Sequence, residues 1–138
     1  MNVVVDTSVW SLALRRRQSD LNSKERRLTQ TLAQLIRENR VQLLGPVRQE
    51  LLSGLREQND FDRLRDYMRA FPEPHIQSED YEEAAQMNSH CRGKGIAGSA
   101  IDFLICATAR RRNWIVFTTD GDFARYAKVL PIQLQLAP

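Results

Sequence analysis

The feature that most constrains this chain is a short β-branched run that ends in a carboxylate. Val3–Val5 are followed by Asp6 and then by two hydroxyl residues, and a similar pattern returns where the apolar residues 114–117 precede two threonines and then Asp120. A short apolar run bounded by turn residues is typical of a buried strand. Two such strands separated by helical patterns indicate a parallel sheet, whose ligand crevice lies beyond the carboxyl ends of its strands.

Between these two runs the pattern is mainly helical, so we predict one α/β domain without an interdomain linker. Strands are predicted over residues 2–6, 41–44, 115–118 and 131–134, with a very short strand or merely extended chain at His75–Ile76. Helices are predicted over about residues 7–17, 24–39, 46–55, 60–70, 78–92, 99–112 and 122–126.

Composition narrows the class of protein without naming a function. The 20 Lys and Arg against 17 Asp and Glu give a formal charge of +3, which suits a polyanionic partner but does not demand one. Cys91 and Cys106 lack a paired spacing and are expected to be reduced thiols. No apolar run approaches the length of a membrane span, and no signal-like segment opens the chain. We expect a cytoplasmic protein without a membrane partner.

Asp102 is the most unusual acid in the sequence. It lies third after Ser99, where it could complete a capping box, but within the otherwise apolar run of residues 100–107. A helix that is apolar all round is buried, and a buried carboxylate costs several kcal/mol unless it is paired, protonated or bound to a metal. No Lys or Arg lies three or four residues away from it. Asp102 is therefore predicted to need a cation from elsewhere.

Each of the other candidate acids has a structural explanation when taken alone. Asp6 can cap a helix, Glu50 is favoured early in its helix, and Asp120 and Asp122 suit a turn and a cap. Together with Asp102, however, they are predicted at one edge of the sheet, where clustered carboxylates repel each other. An all-oxygen ligand set favours Mg²⁺ or Mn²⁺ over Zn²⁺. We therefore predict metal-assisted hydrolysis of phosphodiesters.

Neighbouring hydroxyl and basic residues could support this chemistry. Thr7, Ser8 and Thr118 are placed to hydrogen-bond the carboxylates or metal-bound waters, although all three equally suit helix starts and strand ends. Two arginine triplets lie at predicted helix ends, where cations are favoured in any case. If they flank the acids, they could hold a nucleic-acid backbone. The triplets are Arg15, Arg16, Arg17 and Arg110, Arg111, Arg112.

Four motifs in register make the whole chain resemble a PIN domain, and more narrowly a VapC toxin of bacterial toxin–antitoxin pairs. They are Val-Val-Asp6-Thr-Ser, Pro46-Val-x-x-Glu50-Leu-x-x-Gly54, Asp102-x-x-Ile105-x-Ala107 and Thr118-x-Asp120-x-Asp122-Phe123. The resemblance implies a single PIN domain over residues 1–138, with a mostly parallel sheet of order 3-2-1-4-5 flanked by helices on both faces.

The same resemblance implies an endoribonuclease that depends on Mg²⁺ or Mn²⁺. Asp6, Glu50, Asp102 and Asp120 take the family's acidic, catalytic positions, with Asp122 as the alternative to Asp120 for the fourth metal ligand. It also implies a homodimer that a VapB-like antitoxin inhibits within a toxin–antitoxin hetero-oligomer. The expected substrate is RNA, such as tRNA or rRNA.

Two other functions fit parts of the sequence. One is a PIN nuclease that acts in RNA processing outside toxin–antitoxin systems. The other, from a different class, is a Mg²⁺-binding regulatory module of receiver-like shape. Against the second, such a module usually has paired acids in its first loop, whereas Asp6 is followed by hydroxyl residues, and Lys128 is poorly placed for the lysine that it requires.

Overall fold

Four short strands form a parallel sheet in this structure, a computed structural model that describes residues 1–135. The strands are β1 (Val3–Val5), β2 (Val41–Gln42), β3 (Ile115–Phe117) and β4 (Gln133–Leu134). The α-helices are α1 (Thr7–Arg15), α2 (Ser23–Arg37), α3 (Gly45–Ser53), α4 (Gln58–Met68), α5 (Ser78–Gly93), α6 (Ala100–Arg112) and α7 (Asp122–Tyr126).

β1 lies in the interior of the sheet, whose order is β2-β1-β3-β4. Val3 pairs with Val41 on one side and with Ile115 on the other, and Val3–Val5 are fully buried. A strand with helices packed on its sheet is buried on both faces, which explains why its residues are continuously apolar. The parallel pairing of β1 and β3 brings their carboxyl ends, and therefore the residues that follow them, side by side.

The prediction of a five-stranded sheet of order 3-2-1-4-5 is wrong for its third strand, which is absent from the sheet within residues 1–135. Within residues 1–135 the segment at His75–Ile76 forms no strand, while the order of the other four agrees with the expectation. The backbone N–H of Leu43, just after β2, donates to the carbonyl of Pro72 at 3.0 Å. Pro72 and Pro74 have no N–H to donate, so this edge cannot extend into a regular ladder.

Helices α2 and α6 begin at residues whose side chains accept hydrogen bonds from the first N–H groups. Asn22 accepts from the N–H of Glu25 at 2.8 Å, and the Glu25 side chain accepts from the N–H of Asn22 at 3.0 Å, which forms a capping box. Ser99 accepts from the N–H of Asp102 at 3.1 Å at the start of α6. Within residues 1–135 no helix combines the length and apolar composition needed to cross a membrane.

A buried ion pair fastens the start of α5 to the end of α6. Asp80 is fully buried, and it accepts from Arg111 at 2.6 Å, from Arg112 at 2.8 and 3.0 Å and from the N–H of Gln77 at 2.8 Å. These donors, led by Arg112, hold the pKa of Asp80 well below its usual range even though burial acts the other way. Arg112 also donates to the carbonyl of His75 at 2.9 Å, so the same group ties down the chain before α5.

Candidate metal centre

Asp6 follows β1 and caps α1, and its carboxylate is oriented by hydroxyl groups. It is only 7% exposed, and its Oδ2 accepts from the Ser8 hydroxyl at 2.8 Å and from the Thr118 hydroxyl at 2.9 Å. The N–H of Ser8 approaches the same oxygen at 3.4 Å. Within residues 1–135 no hydrogen bond reaches Oδ1 of Asp6. One oxygen therefore fixes the carboxylate, and the other is left to bind a ligand.

The two hydroxyl groups also join the loops that follow β1 and β3. Ser8 accepts from the N–H of Thr119 at 3.0 Å, and Thr118 accepts from the N–H of Asp120 at 3.0 Å. The two hydroxyl oxygens are 3.3 Å apart. Thr7 behaves differently, because its buried Oγ1 has no hydrogen-bond partner in the described part of the chain. Of the three hydroxyl residues expected beside the acids, Ser8 and Thr118 contact Asp6.

Three carboxylates from two elements meet beside this network. Asp102, Asp120 and Asp122 each place one carboxylate oxygen so that the three oxygens lie within 4.8 Å of one another. Asp120 Oδ1 also accepts from the N–H of Asp122 at 2.9 Å, which folds the short loop onto the start of α7. Arg125 donates to Asp122 from one turn later. Oxygen atoms at this spacing can bind the same divalent cation.

The electrostatics of Asp102 link this trio to Asp6. Burial raises the pKa of Asp102, and the negative charges of Asp6 and Asp120 raise it further, against hydrogen bonds from Tyr126 and Ser99. A carboxylate whose pKa is raised by neighbouring acids lies close to them, and no cationic side chain offsets their charge on Asp102 within residues 1–135. A divalent cation would relieve this repulsion, and the hard oxygen donors suit Mg²⁺ or Mn²⁺. The residues present therefore fit such an ion.

Tyr126 belongs to the site although it was not expected there. Its hydroxyl donates to Asp102 Oδ2 at 2.7 Å, and the side chain is fully buried, with its ring 4.9 Å from Phe103 and 5.2 Å from Phe123 between centroids. Burial, followed by the Asp102 hydrogen bond, raises the pKa of Tyr126, so the hydroxyl stays a donor. A buried tyrosine needs a partner for its hydroxyl, but nothing in the local sequence identifies which.

Gly98 leaves the space that the Tyr126 hydroxyl occupies. A Cβ atom at position 98 would overlap the Tyr126 oxygen and would lie 2.8 Å from the ring of Phe103. Contacts that short do not occur, and both aromatic side chains are too well packed to move aside cheaply. The absence of a side chain at Gly98 is therefore required for the hydrogen bond to Asp102.

Glu50 stands apart from the other acids. It is exposed on α3, and within residues 1–135 it makes no hydrogen bond or ion pair. It is not one of the carboxylates that lie within 4.8 Å of one another. The structure thus brings Asp102, Asp120 and Asp122 together and places Asp6 beside them, but it shows no contact between Glu50 and the group. Both Asp120 and Asp122 are in the cluster, so the choice between them stays open.

A match to a family model assigns the chain to a family. The model of the PIN domain matches residues 3–129, which is most of the chain. The chain belongs to the PIN domain family. No curated protein sequence matches it.

Solved structures share the fold of this PIN domain over nearly its whole length. FitAcB from Neisseria gonorrhoeae has a TM-score of 0.72 at 22% identity, covering 98% of this chain and 97% of that one. VapBC2 from Rickettsia felis, bound to a DNA fragment from its promoter, has a TM-score of 0.75 at 14% identity, covering 98% of each chain. The Mycobacterium tuberculosis toxin VapC20, which cleaves the sarcin–ricin loop, has a TM-score of 0.69 at 18% identity, covering 96% of this chain and 99% of that one.

The second arginine triplet of this PIN domain is engaged within the fold. Arg110 donates to both carboxylate oxygens of Glu83 at 2.7 Å, while Arg111 and Arg112 bind Asp80. They lie at the end of α6, whereas Asp102 lies in its first turn. These contacts account for all three arginines without a nucleic acid, and a role in RNA binding stays a prediction for them.

The first triplet lies at the end of α1 and is only partly engaged. Arg15 donates to the carbonyl of Leu51, which ties α1 to α3. Arg16 pairs with Glu25 at 3.4 Å, with 48% of its side chain exposed, and Arg17 is exposed. Arg16 and Arg17 are therefore the members of this triplet that a nucleic acid could reach with the least rearrangement.

Proposed function

We propose that this PIN domain is an endoribonuclease that depends on a divalent metal ion and acts as the toxin of a VapBC-type pair. The observation that carries the proposal is the convergence of carboxylates of which, within residues 1–135, only Asp122 pairs with a cation, Arg125. Asp102, Asp120 and Asp122 have oxygens within 4.8 Å of one another, and the charge of Asp6 raises the pKa of Asp102. Such an arrangement destabilises an empty site, so its presence favours a ligand-binding role over a structural one.

The fold supports a nuclease of the toxin class. The similar structures include VapC20, a toxin that cleaves the sarcin–ricin loop, and VapBC2. We therefore propose structured RNA, such as tRNA or rRNA, as the substrate. The formal charge of +3 is compatible with a polyanion.

The metal ligands in this proposal are Asp102, Asp120, Asp122 and the free Oδ1 of Asp6. When bound, Mg²⁺ or Mn²⁺ supplies an activated water and offsets charge that develops on the phosphate oxygens. The chain's own groups set the geometry beforehand: Ser8 and Thr118 orient Asp6, and Tyr126 orients Asp102. We assign Glu50, which is exposed on α3, to the remaining catalytic position on the family resemblance alone.

Cleavage of RNA tests the enzyme directly. Purified protein should cut RNA with Mn²⁺ and lose this activity in EDTA, and Asp6→Asn should reduce it to background because the oriented ligand is removed. Asp66→Asn is the matched control, since Asp66 is an exposed aspartate on α4 with 63% of its side chain accessible. Equal cleavage by Asp6→Asn and the wild type, or cleavage that survives EDTA, would exclude the proposed site.

The partner in this proposal is a small VapB-like antitoxin, bound to a homodimer of the toxin. Expression of the chain alone should stop growth, and co-expression with the proposed antitoxin, sought as the product of a small reading frame beside the gene, should restore it. The two proteins should then elute together at a mass above that of the toxin alone in size-exclusion chromatography with light scattering. Elution of the toxin apart from that product would contradict the pairing.

A further inference from the structure

Two adjoining clefts lead from the acidic cluster to the start of α2. The inner cleft has a volume of 210 Å³ and is lined by Thr118 and Asp120, and the outer cleft has a volume of 470 Å³ and reaches Ser11 and Arg16. The residues that line both clefts are Lys24, Leu28 and Thr119. The two clefts therefore form one groove, which we call the α2 groove, with Asp120 at its inner end, Lys24 at the junction, and Arg16 with its partner Glu25 at its outer end.

Lys24 is the charged residue at the junction of the two clefts. It is exposed at the start of α2 and makes no ion pair with any residue in the range 1–135. Arg16 lies further out and pairs with Glu25 at 3.4 Å, with 48% and 24% of the two side chains exposed. An ion pair this exposed contributes little and is readily exchanged for another anion. The groove thus offers one free and one exchangeable cation beyond the acids.

The neutral groups of the groove favour contacts with a sugar–phosphate backbone over contacts with bases. Asn22 uses its Oδ1 to accept from Glu25, which leaves its NH₂ group as a donor, and Ser11 contributes a hydroxyl group. Such neutral donors commonly bind phosphate and sugar oxygens. The described lining residues include no aromatic side chain on which a base could stack. Binding here is therefore expected to be electrostatic and independent of sequence.

We infer that the α2 groove holds the RNA strand on one side of the cleaved bond, with Lys24 bound to a phosphate beside the scissile one. The inference rests on the proposed function, because cleavage at the acids would involve one phosphate, and the strand would have to continue away from them. The acids repel a polyanion, and Lys24 and Arg16 supply the compensating attraction next to them. Lys24 positions the substrate and takes no part in the bond-breaking step.

The salt dependence of RNA binding tests the role of Lys24. Binding of a short labelled single-stranded RNA is measured in EDTA, so that no cleavage occurs, over a range of salt concentrations. Lys24→Ala should weaken binding at low salt and reduce the slope of log K against log salt by about 0.7, the contribution of one phosphate contact on a single strand. Lys24→Arg should keep the slope, since the charge is retained. Lys128→Ala is the matched control, because Lys128 lines neither cleft.

Steady-state cleavage with Mn²⁺ separates substrate positioning from chemistry. Lys24→Ala should raise KM several-fold and leave kcat unchanged, as expected for a contact made equally in the ground state and the transition state. A fall in kcat at constant KM, or a salt slope equal to that of the wild type, overturns the assignment of Lys24. An unchanged slope together with weaker antitoxin binding would assign the groove to the protein partner instead and also overturn it.

These outcomes separate a failure of the groove assignment from a failure of the proposed nuclease function. If the wild type cleaves RNA and Lys24→Ala has an unchanged slope, the groove assignment fails and the nuclease stands. If the wild type does not cleave RNA but its binding depends on Lys24, the nuclease fails and the groove remains an RNA-binding surface.

Discussion

Two carboxylates at opposite ends of α6 have opposite electrostatic surroundings. Asp80 packs against the carboxyl end of α6, where Arg111 and Arg112 hold its pKa well below the usual range. Asp102 lies in the first turn of the same helix, where burial and the charges of Asp6 and Asp120 raise its pKa. Asp80 faces two positive charges, which is more than its single negative charge can neutralise. The charged side chains that act on Asp102 are both negative.

The difference separates a stabilising site from a functional one. A buried ion pair with its hydrogen bonds made holds two helices in register, and removing one partner is costly. Carboxylates crowded without a cation destabilise the chain that carries them, and such an arrangement is typical of a ligand site.

Asp80→Asn should have the largest effect on stability. It removes the charge that neutralises two partly buried arginines, so we expect the free energy of unfolding to fall by about 3 kcal/mol, at the lower end of the range for a broken buried pair because the arginines are partly exposed. Urea denaturation measures the loss. Asp66→Asn, whose ion pairs are exposed, should cost less than about 1 kcal/mol. Equal losses would show that the buried pair is not a special stabilising contact.

The pH dependence of the same pair has a defined sign. Because the pKa of Asp80 is lowered on folding, its contribution is fully present above the unfolded value of 3.8 and is lost as the pH falls through the folded pKa. The difference in unfolding free energy between wild type and Asp80→Asn should therefore stay constant at neutral pH and shrink below pH 3.8. A difference that grew on acidification would contradict this sign.

Tyr126→Phe and Gly98→Ala should weaken the metal site by two independent routes. The first removes the hydroxyl that donates to Asp102, and the second places a methyl group where that hydroxyl lies. Loss of a residue that orients a metal ligand typically costs about 10- to 100-fold in metal affinity. Isothermal titration calorimetry with Mn²⁺ measures the metal affinity of each variant. Gly93→Ala is the matched control, since a Cβ atom there meets nothing within 4 Å. Unchanged Mn²⁺ affinity in both test variants would remove Tyr126 from the site.

Asp102→Asn should have the smallest effect on stability. It should stabilise the protein, whereas Asp80→Asn should destabilise it. A neutral amide relieves the repulsion from Asp6 and Asp120, so the melting temperature without metal should rise by a few degrees. Addition of Mn²⁺ should raise the melting temperature of the wild type but not that of the variant. Thermal scans in EDTA and in Mn²⁺ measure both shifts. A fall in the EDTA melting temperature would show that Asp102 stabilises the empty site.

Local patterns predicted much of the site because parallel strands bring their carboxyl ends together. The apolar runs before Asp6 and Thr118 identified β1 and β3, and the apolar surroundings of Asp102 marked it as an acid without a local partner. The contact between Tyr126 and Asp102 spans 24 residues and leaves no local pattern, so sequence reasoning could not identify it.

The remaining errors and open points have physical causes as well. Proline at positions 72 and 74 removes the N–H groups that a fifth strand would need. The arginines at 110–112 pair with acids of α5 that lie about thirty residues earlier, a distance at which charge patterning says nothing about partners. The position of Glu50 relative to the cluster depends on how α3 packs, which its own short motif does not determine.

The hydroxyl bonds between the loops after β1 and β3 have a consequence for how the centre is assembled. The Ser8 and Thr118 hydroxyls each donate a hydrogen bond to Asp6, and each accepts one from a backbone N–H of the loop after β3, so neither loop can rotate without breaking some of these bonds. The conformational entropy of ordering this part of the ligand set is therefore lost when the chain folds, before any ion arrives. A metal ion that binds here meets Asp6 and the loops after β1 and β3 already ordered, and only the remaining ligands must adjust around it.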